Sequence, residues 1–213
     1  VKDKDNAGGV LAGSELLDEQ FTKTAMMAGL NQGYPVVHIA SHFALGPDYA
    51  SSYLLLGDGA HLSLAQINSG GQVFQDVDLL TLSACDTAVG GRSGDGHEVE
   101  SFGMLAQDKG AAAILASLWP VSDASTQLLM RQFYLGHQTQ SGISKAEALR
   151  QAQLSLLHGT ASASETNPGK RAGRAVEDTG DENSHQPLFK TDPKAPYAHP
   201  YYWAPFVLIG NWR

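Results

Sequence analysis

The chain has one cysteine, Cys85, at the end of the apolar run Leu79-Leu-Thr-Leu-Ser-Ala-Cys85. An earlier run, Tyr34-Pro-Val-Val-His-Ile-Ala-Ser41, stops one residue before His42. A thiol attacks as its thiolate, and an imidazole close by can take the proton or hold it as an ion pair. Backbone N–H groups in a turn after Cys85 would stabilise both the thiolate and a developing oxyanion. Together the two residues would make a nucleophilic dyad for acyl transfer. The competing reading is that a lone cysteine simply packs as a small hydrophobe.

Whether the dyad exists depends on the elements that carry it. Each run is too short for a helix and rich in leucine and β-branched residues, so each predicts a buried strand. Reacting groups in an open parallel sheet gather beyond the carboxyl ends of its strands. Cys85 and His42 are therefore expected at one rim, at the ends of neighbouring parallel strands.

Other chemical motifs fall short. His38 and His42 would share a helix face, but along a strand they stand about 12 Å apart or more. His38 reads as a core histidine with its hydrogen bonds satisfied. His97-Glu98-Val-Glu100 lacks the second histidine of a metalloprotease helix. The glycine-rich segment Ala88–Gly96 has neither a phosphate-loop Lys-Ser/Thr nor the G-x-G-x-x-G order, and reads as an adaptable loop beside the site. No glycines flank Cys85 as in a hydrolase elbow.

The rest of the chain alternates helices and strands. A helix is expected from near Asp18 to Gly29 or Asn31, and a hairpin over Ser52–Leu64 turning on Gly57-Asp58-Gly59. A short helix or turn near Leu64–Ser69 leads to the Cys85 strand. Glu98–Lys109 reads as a helix capped by Gly110, and Ala111–Trp119 as a strand stopped by Pro120. Helices are expected over Asp123–Leu135, N-capped by Asp123, and over Ser144–Leu157, where Ser144 and Glu147 match a capping box. The composition of 159–199 predicts a mobile insertion. A strand within Tyr201–Gly210 completes an α/β domain, a mostly parallel sheet flanked by helices.

A length of 213 residues suits one domain or most of one. The net charge of −8 excludes a basic nucleic-acid footprint and leaves room for a basic peptide or protein partner. One cysteine allows neither an internal disulfide nor a multi-cysteine zinc site, and fits a reducing cytoplasm. No apolar run approaches the 18 residues of a membrane span. Starting at Val1, the chain reads as a fragment.

Four segments in order resemble the CHAT domain: His38-Ile-Ala-Ser-His42-Phe43, Leu82-Ser-Ala-Cys85-Asp-Thr87, Ala116-Ser-Leu-Trp-Pro-Val-Ser-Asp123 and His199-Pro-Tyr-Tyr-Trp-Ala-Pro-Phe-Val-Leu-Ile-Gly210. CHAT domains are caspase- and separase-like modules, mostly bacterial, often carried behind TPR repeats. Caspases share the Ala-Cys pair, with a histidine about 50 residues upstream. The resemblance implies a caspase-like sheet, Cys85 as peptidase nucleophile and His42 as general acid/base. It also implies an oxyanion hole from the N–H groups of Cys85 and Phe43, and a substrate backbone aligned along Ser117, Leu118 and Trp119. Neither metal nor organic cofactor is implied. Asp123 would meet a basic group on the substrate or serve only to cap its helix.

The chain departs from the family in three ways. Many relatives have glycine where Phe43 stands, and a Cβ there could block the backbone angles or close approach that glycine permits. Metacaspase-like relatives carry an acidic residue at the position of Ser83. The front of the domain, a strand or two, is expected to be missing. The leading expectation is a cysteine endopeptidase cutting a specific protein target, with upstream TPR or other regulatory domains in the full-length protein. The alternatives are a non-catalytic CHAT scaffold that binds or regulates a partner, and a thiol-dependent amidase or transferase acting on a small molecule.

Overall fold

Four short apolar runs form the main sheet. The computed structural model describes residues 10–44, 46–83, 97–119, 121–161 and 192–213. In chain order the sheet strands are β1 (Val36–Ile39), β5 (Leu79–Leu82), β6 (Ala113–Ser117) and β7 (Phe206–Gly210), arranged β1-β5-β6-β7. The pairs β1–β5 and β5–β6 are parallel, and β7 runs antiparallel to β6. Every residue of β5 and β6 is buried, as strands covered on both faces require, and their sequences are mostly apolar for that reason, with Thr81 and Ser117 as the buried polar exceptions.

A second, antiparallel sheet joins β2 (Phe43–Ala44), β3 (Tyr53–Leu55) and β4 (His61–Ser63). The β3–β4 hairpin turns where Gly57-Asp58-Gly59 predicts. A short helix α2 (Leu64–Asn68) follows, closed by a full capping box: Gln66 N–H donates to Ser63 Oγ, and Ser63 N–H to Gln66 Oε1. The fold is thus α/β, with a mostly parallel main sheet flanked by helices.

Contacts divide the chain into two units, Val1–Pro120 with Pro205–Arg213, and Val121–Ala204. The first holds both sheets, α1 (Lys23–Leu30), α2 and α3 (His97–Asp108). Its core joins Val37, Ile39, Leu80, Leu82, Ile114 and Ala116 from the sheet to Met26, Leu30, Phe102 and Leu105 from helices. Gly110, at φ 107, ends α3 in the left-handed region, as its capping role predicts. The expected helix from Asp18 begins later. Asp18–Gln20 is a 3-10 turn, the Phe21 carbonyl is taken by the Gly57 N–H, and Thr22 caps α1 through Ala25 N–H.

In the second unit α4 (Asp123–Thr139) and α5 (Lys145–Leu157) pack on each other. Ser122, not Asp123, stands at the N-cap of α4; Asp123 is the first helical residue, where its charge suits the helix N-terminus. The helix runs past Leu135 to Thr139, with Gly136 facing Ala148 of α5. Ser144 caps α5 by accepting from Glu147 N–H at 3.1 Å. The expected box stays half-made, because the Glu147 carboxylate is turned to Arg150 and Gln151 instead.

Residues 162–191 of the expected 159–199 insertion lie outside the described residues. The flanking parts are packed: Ala195 is buried, and a Cβ on Gly159 would fall 2.0 Å from Lys194 O. Tyr201 and Tyr202 form a 3-10 turn begun by Pro200 rather than strand, so β7 starts only at Phe206, after Pro205.

Candidate active site

The carboxyl ends of β1 and β5 are level. Their register runs from Val36↔Leu79 to Ile39↔Leu82, and Ser83 N–H adds one more rung by donating to Ile39 O at 2.9 Å. In the chain His42 lies three residues beyond Ile39, and Cys85 three residues beyond Leu82. Cys85 itself, with the Ala88–Gly96 loop, lies outside the described residues.

His42 occupies the junction between the two sheets. Leu55 of β3 holds this junction on both sides: its N–H donates to His42 O at 2.8 Å, and its carbonyl accepts from Ser41 Oγ at 2.5 Å. The backbone is thereby anchored while the imidazole-bearing residue is exposed. Sequence reasoning missed this role of Ser41, because the two-residue strand β2 that brings Leu55 alongside shows no alternation pattern.

Phe43 is buried in the core, its ring 5.5 Å from that of Phe102 in α3. Among the described non-glycine residues only Asp18 has positive φ, so Phe43 uses backbone angles open to any residue. Neighbouring strand positions point to opposite faces, which sends the Phe43 side chain inward next to an exposed His42. Phe43 thus serves as core packing.

His38 is not the core histidine that its strand suggests. Val37 and Ile39 pack inward, while His38 faces the other way, is exposed, and places Nε2 2.8 Å from Ser83 Oγ. Exposure alone would leave an ordinary imidazole. The protein crowded about the ring withholds hydration from the charged form and lowers the pKa to about 4.

The expected substrate strip has mixed standing. β6 is an interior strand between β5 and β7, and Ser117, its last paired residue, is buried. Leu118 N–H donates to Pro205 O at 3.0 Å, and Trp119 O accepts from Ser117 Oγ at 2.7 Å. The Leu118 N–H is therefore already committed within the fold and cannot pair with a substrate backbone. Asp123 belongs to the other unit. Among the described residues no group of His, Cys, Asp and Glu could hold a metal ion, and no helix is long and apolar enough to cross a membrane.

Residues 5–211, nearly the whole chain, match the family model of the CHAT domain. The chain belongs to the CHAT domain family. This is a caspase-like, peptidase-related family, and the parallel β1–β5 pair with a histidine just past β1 agrees with it. No curated protein matches this CHAT domain.

Proposed function

We propose that this CHAT domain is a cysteine endopeptidase in which His42 and Cys85 act as a dyad on a specific protein target. One observation carries the reading: β1 and β5 are adjacent, parallel and in register, and each reactive residue follows its strand by the same number of residues. The clamp of Leu55 on Ser41 and His42 supports it by fixing the histidine backbone.

In the proposed reaction His42 takes the proton from the Cys85 thiol. Sγ bonds to the scissile carbonyl carbon, and the carbonyl electron pair moves onto oxygen, held by the N–H groups of Phe43 and Cys85. The C–N bond breaks as His42 passes its proton to the departing amine. Water then attacks the thioester, giving one proton back through His42 to Sγ and releasing the carboxylic acid. The substrate chain would run along Ser117–Trp119, using groups other than the Leu118 N–H. A single thiol of this kind suits a reducing cytoplasm, and TPR or other regulatory domains would deliver the target.

The test is cleavage of a cellular protein extract followed by identification of new N-termini. Wild-type protein should generate a defined set, and Cys85→Ala and His42→Ala should each abolish it with the fold intact. The double variant should be little worse than either single one, because the two residues act as a unit. New termini that persist in Cys85→Ala would refute the assignment.

A further inference from the structure

Three residues, Ala40, Ser41 and His42, carry the chain from the end of β1 in the main sheet to β2 in the second sheet. The β2–β3 register, Phe43↔Leu54 and Ala44↔Tyr53, continues by one place to put His42 opposite Leu55. A regular hydrogen-bonded pair at that place exchanges two backbone bonds. One of them is made, from Leu55 N–H to His42 O at 2.8 Å. The Leu55 carbonyl accepts instead from Ser41 Oγ at 2.5 Å, at the short end of the range for two oxygens. A side-chain hydroxyl thus stands where the second rung would be. The platform that carries the carbonyl is itself fixed. Leu54 and Leu62 are buried beneath it, and Leu55 pairs on its other side with His61. The His61 ring lies on that of Tyr53, with centroids 3.7 Å apart and planes 11° from parallel, which fastens β4 to β3.

We infer that Ser41 is a positioning residue for His42: its hydroxyl occupies the Leu55 carbonyl and keeps the histidine at the border of the two sheets, outside the β2–β3 ladder. The inference rests on the peptidase reading. Side-chain hydroxyls compete with ladder bonds for the same backbone groups, and here the hydroxyl holds the acceptor. Without it the part-buried Leu55 carbonyl calls for another donor, and the His42 N–H is the one the register supplies. The ladder would then extend by one residue, and the imidazole would turn with its backbone. A general base must lie within about 2.6–3.2 Å of the atom it deprotonates. A displacement of about 1 Å costs about a hundredfold in rate. Ser41 acts through His42, so its loss should slow the chemistry and leave the choice of cut site alone.

The competing role is a tether between the sheets that stabilises the fold and leaves the dyad untouched. The pH profile of Cys85 alkylation by iodoacetamide, read with the Tm of each variant, separates the two. Ser41→Ala should move the alkylation midpoint up, toward the His42→Ala value and the ordinary thiol value of about 8.5. It should also slow the appearance of new N-termini in a cellular extract about tenfold or more, with the same set of cut sites. Ser41→Thr keeps the hydroxyl and should retain the wild-type midpoint. Ser41→Val has the shape of threonine without the hydroxyl and should follow Ser41→Ala. If Ser41→Ala does not fold, the Thr and Val variants make the same comparison. A lowered Tm with an unmoved midpoint, or Thr and Val variants that behave alike, would overturn the positioning role while the dyad stands. A midpoint that His42→Ala itself leaves in place would instead remove the dyad, and the role of Ser41 with it.

Discussion

His38 gives the residue scale its sharpest consequence. Its pKa falls from 6.5 in the unfolded chain to about 4 in the fold, so the unfolded chain binds the proton first as pH drops. The stability associated with this neutral imidazole is fully present above about 6.5 and is lost as pH falls toward 4. His38→Asn should flatten that part of the profile. Urea midpoints at pH 7.5 and pH 4.5 would measure it: the difference between the two should be smaller in the variant, and an unchanged difference would rule His38 out. Because the residue is exposed, the effect should be modest. The residue types at His42 and Cys85 are legible in the sequence, because nucleophile and base are defined by their chemistry. The pairing of His38 with Ser83 is not. It depends on which strand lies beside β1, and an apolar strand read alone makes any histidine in it look internal.

At the element scale, the level ends of β1 and β5 matter most for the site. Leu82 pairs with Ile39 at the last in-register position and is buried on the core side. Leu82→Ala should cost about 2–5 kcal/mol by the lost burial and the cavity left behind. Chemical denaturation would show it, and a loss below about 1 kcal/mol would mean that β5 is not packed as described. The doubly buried strands were readable because β5 and β6 are mostly apolar. The β3–β4 hairpin was readable too, but two residues of β2 carry no period at all, so its addition to that hairpin and the Leu55 clamp stayed hidden. Helix starts differ from the expected ones where other hydrogen bonds outcompeted the expected signals. Gly57 takes the Phe21 carbonyl and delays α1, and Arg150 draws Glu147 away from the Ser144 box. The capping box that does form, Ser63 with Gln66, has the same S-x-x-Q/E spacing and could have been found from it.

At the scale of the whole molecule, the family match spans both contact-defined units, although a long polar segment interrupts the second. That segment's composition was legible, but its borders were not: Gly159 and Ala195 lie close together within the packed unit. Joined ends need no long chain between them, so replacing 164–190 with a short Gly-Ser linker should shift Tm by only a few degrees. Gly159→Ala, which forces a Cβ at φ +66 against Lys194 O, should cost more than that deletion. A large Tm loss on the replacement would show that the segment contributes to packing. The central claim, a thiol activated by His42, can be tested without knowing any substrate. With one cysteine in the chain, the mass gained on iodoacetamide treatment reports Cys85 alone. Alkylation rates measured across pH should rise with a midpoint below the ordinary thiol value of about 8.5, and His42→Ala should return the midpoint to that value. A profile that His42→Ala leaves unmoved would contradict the dyad.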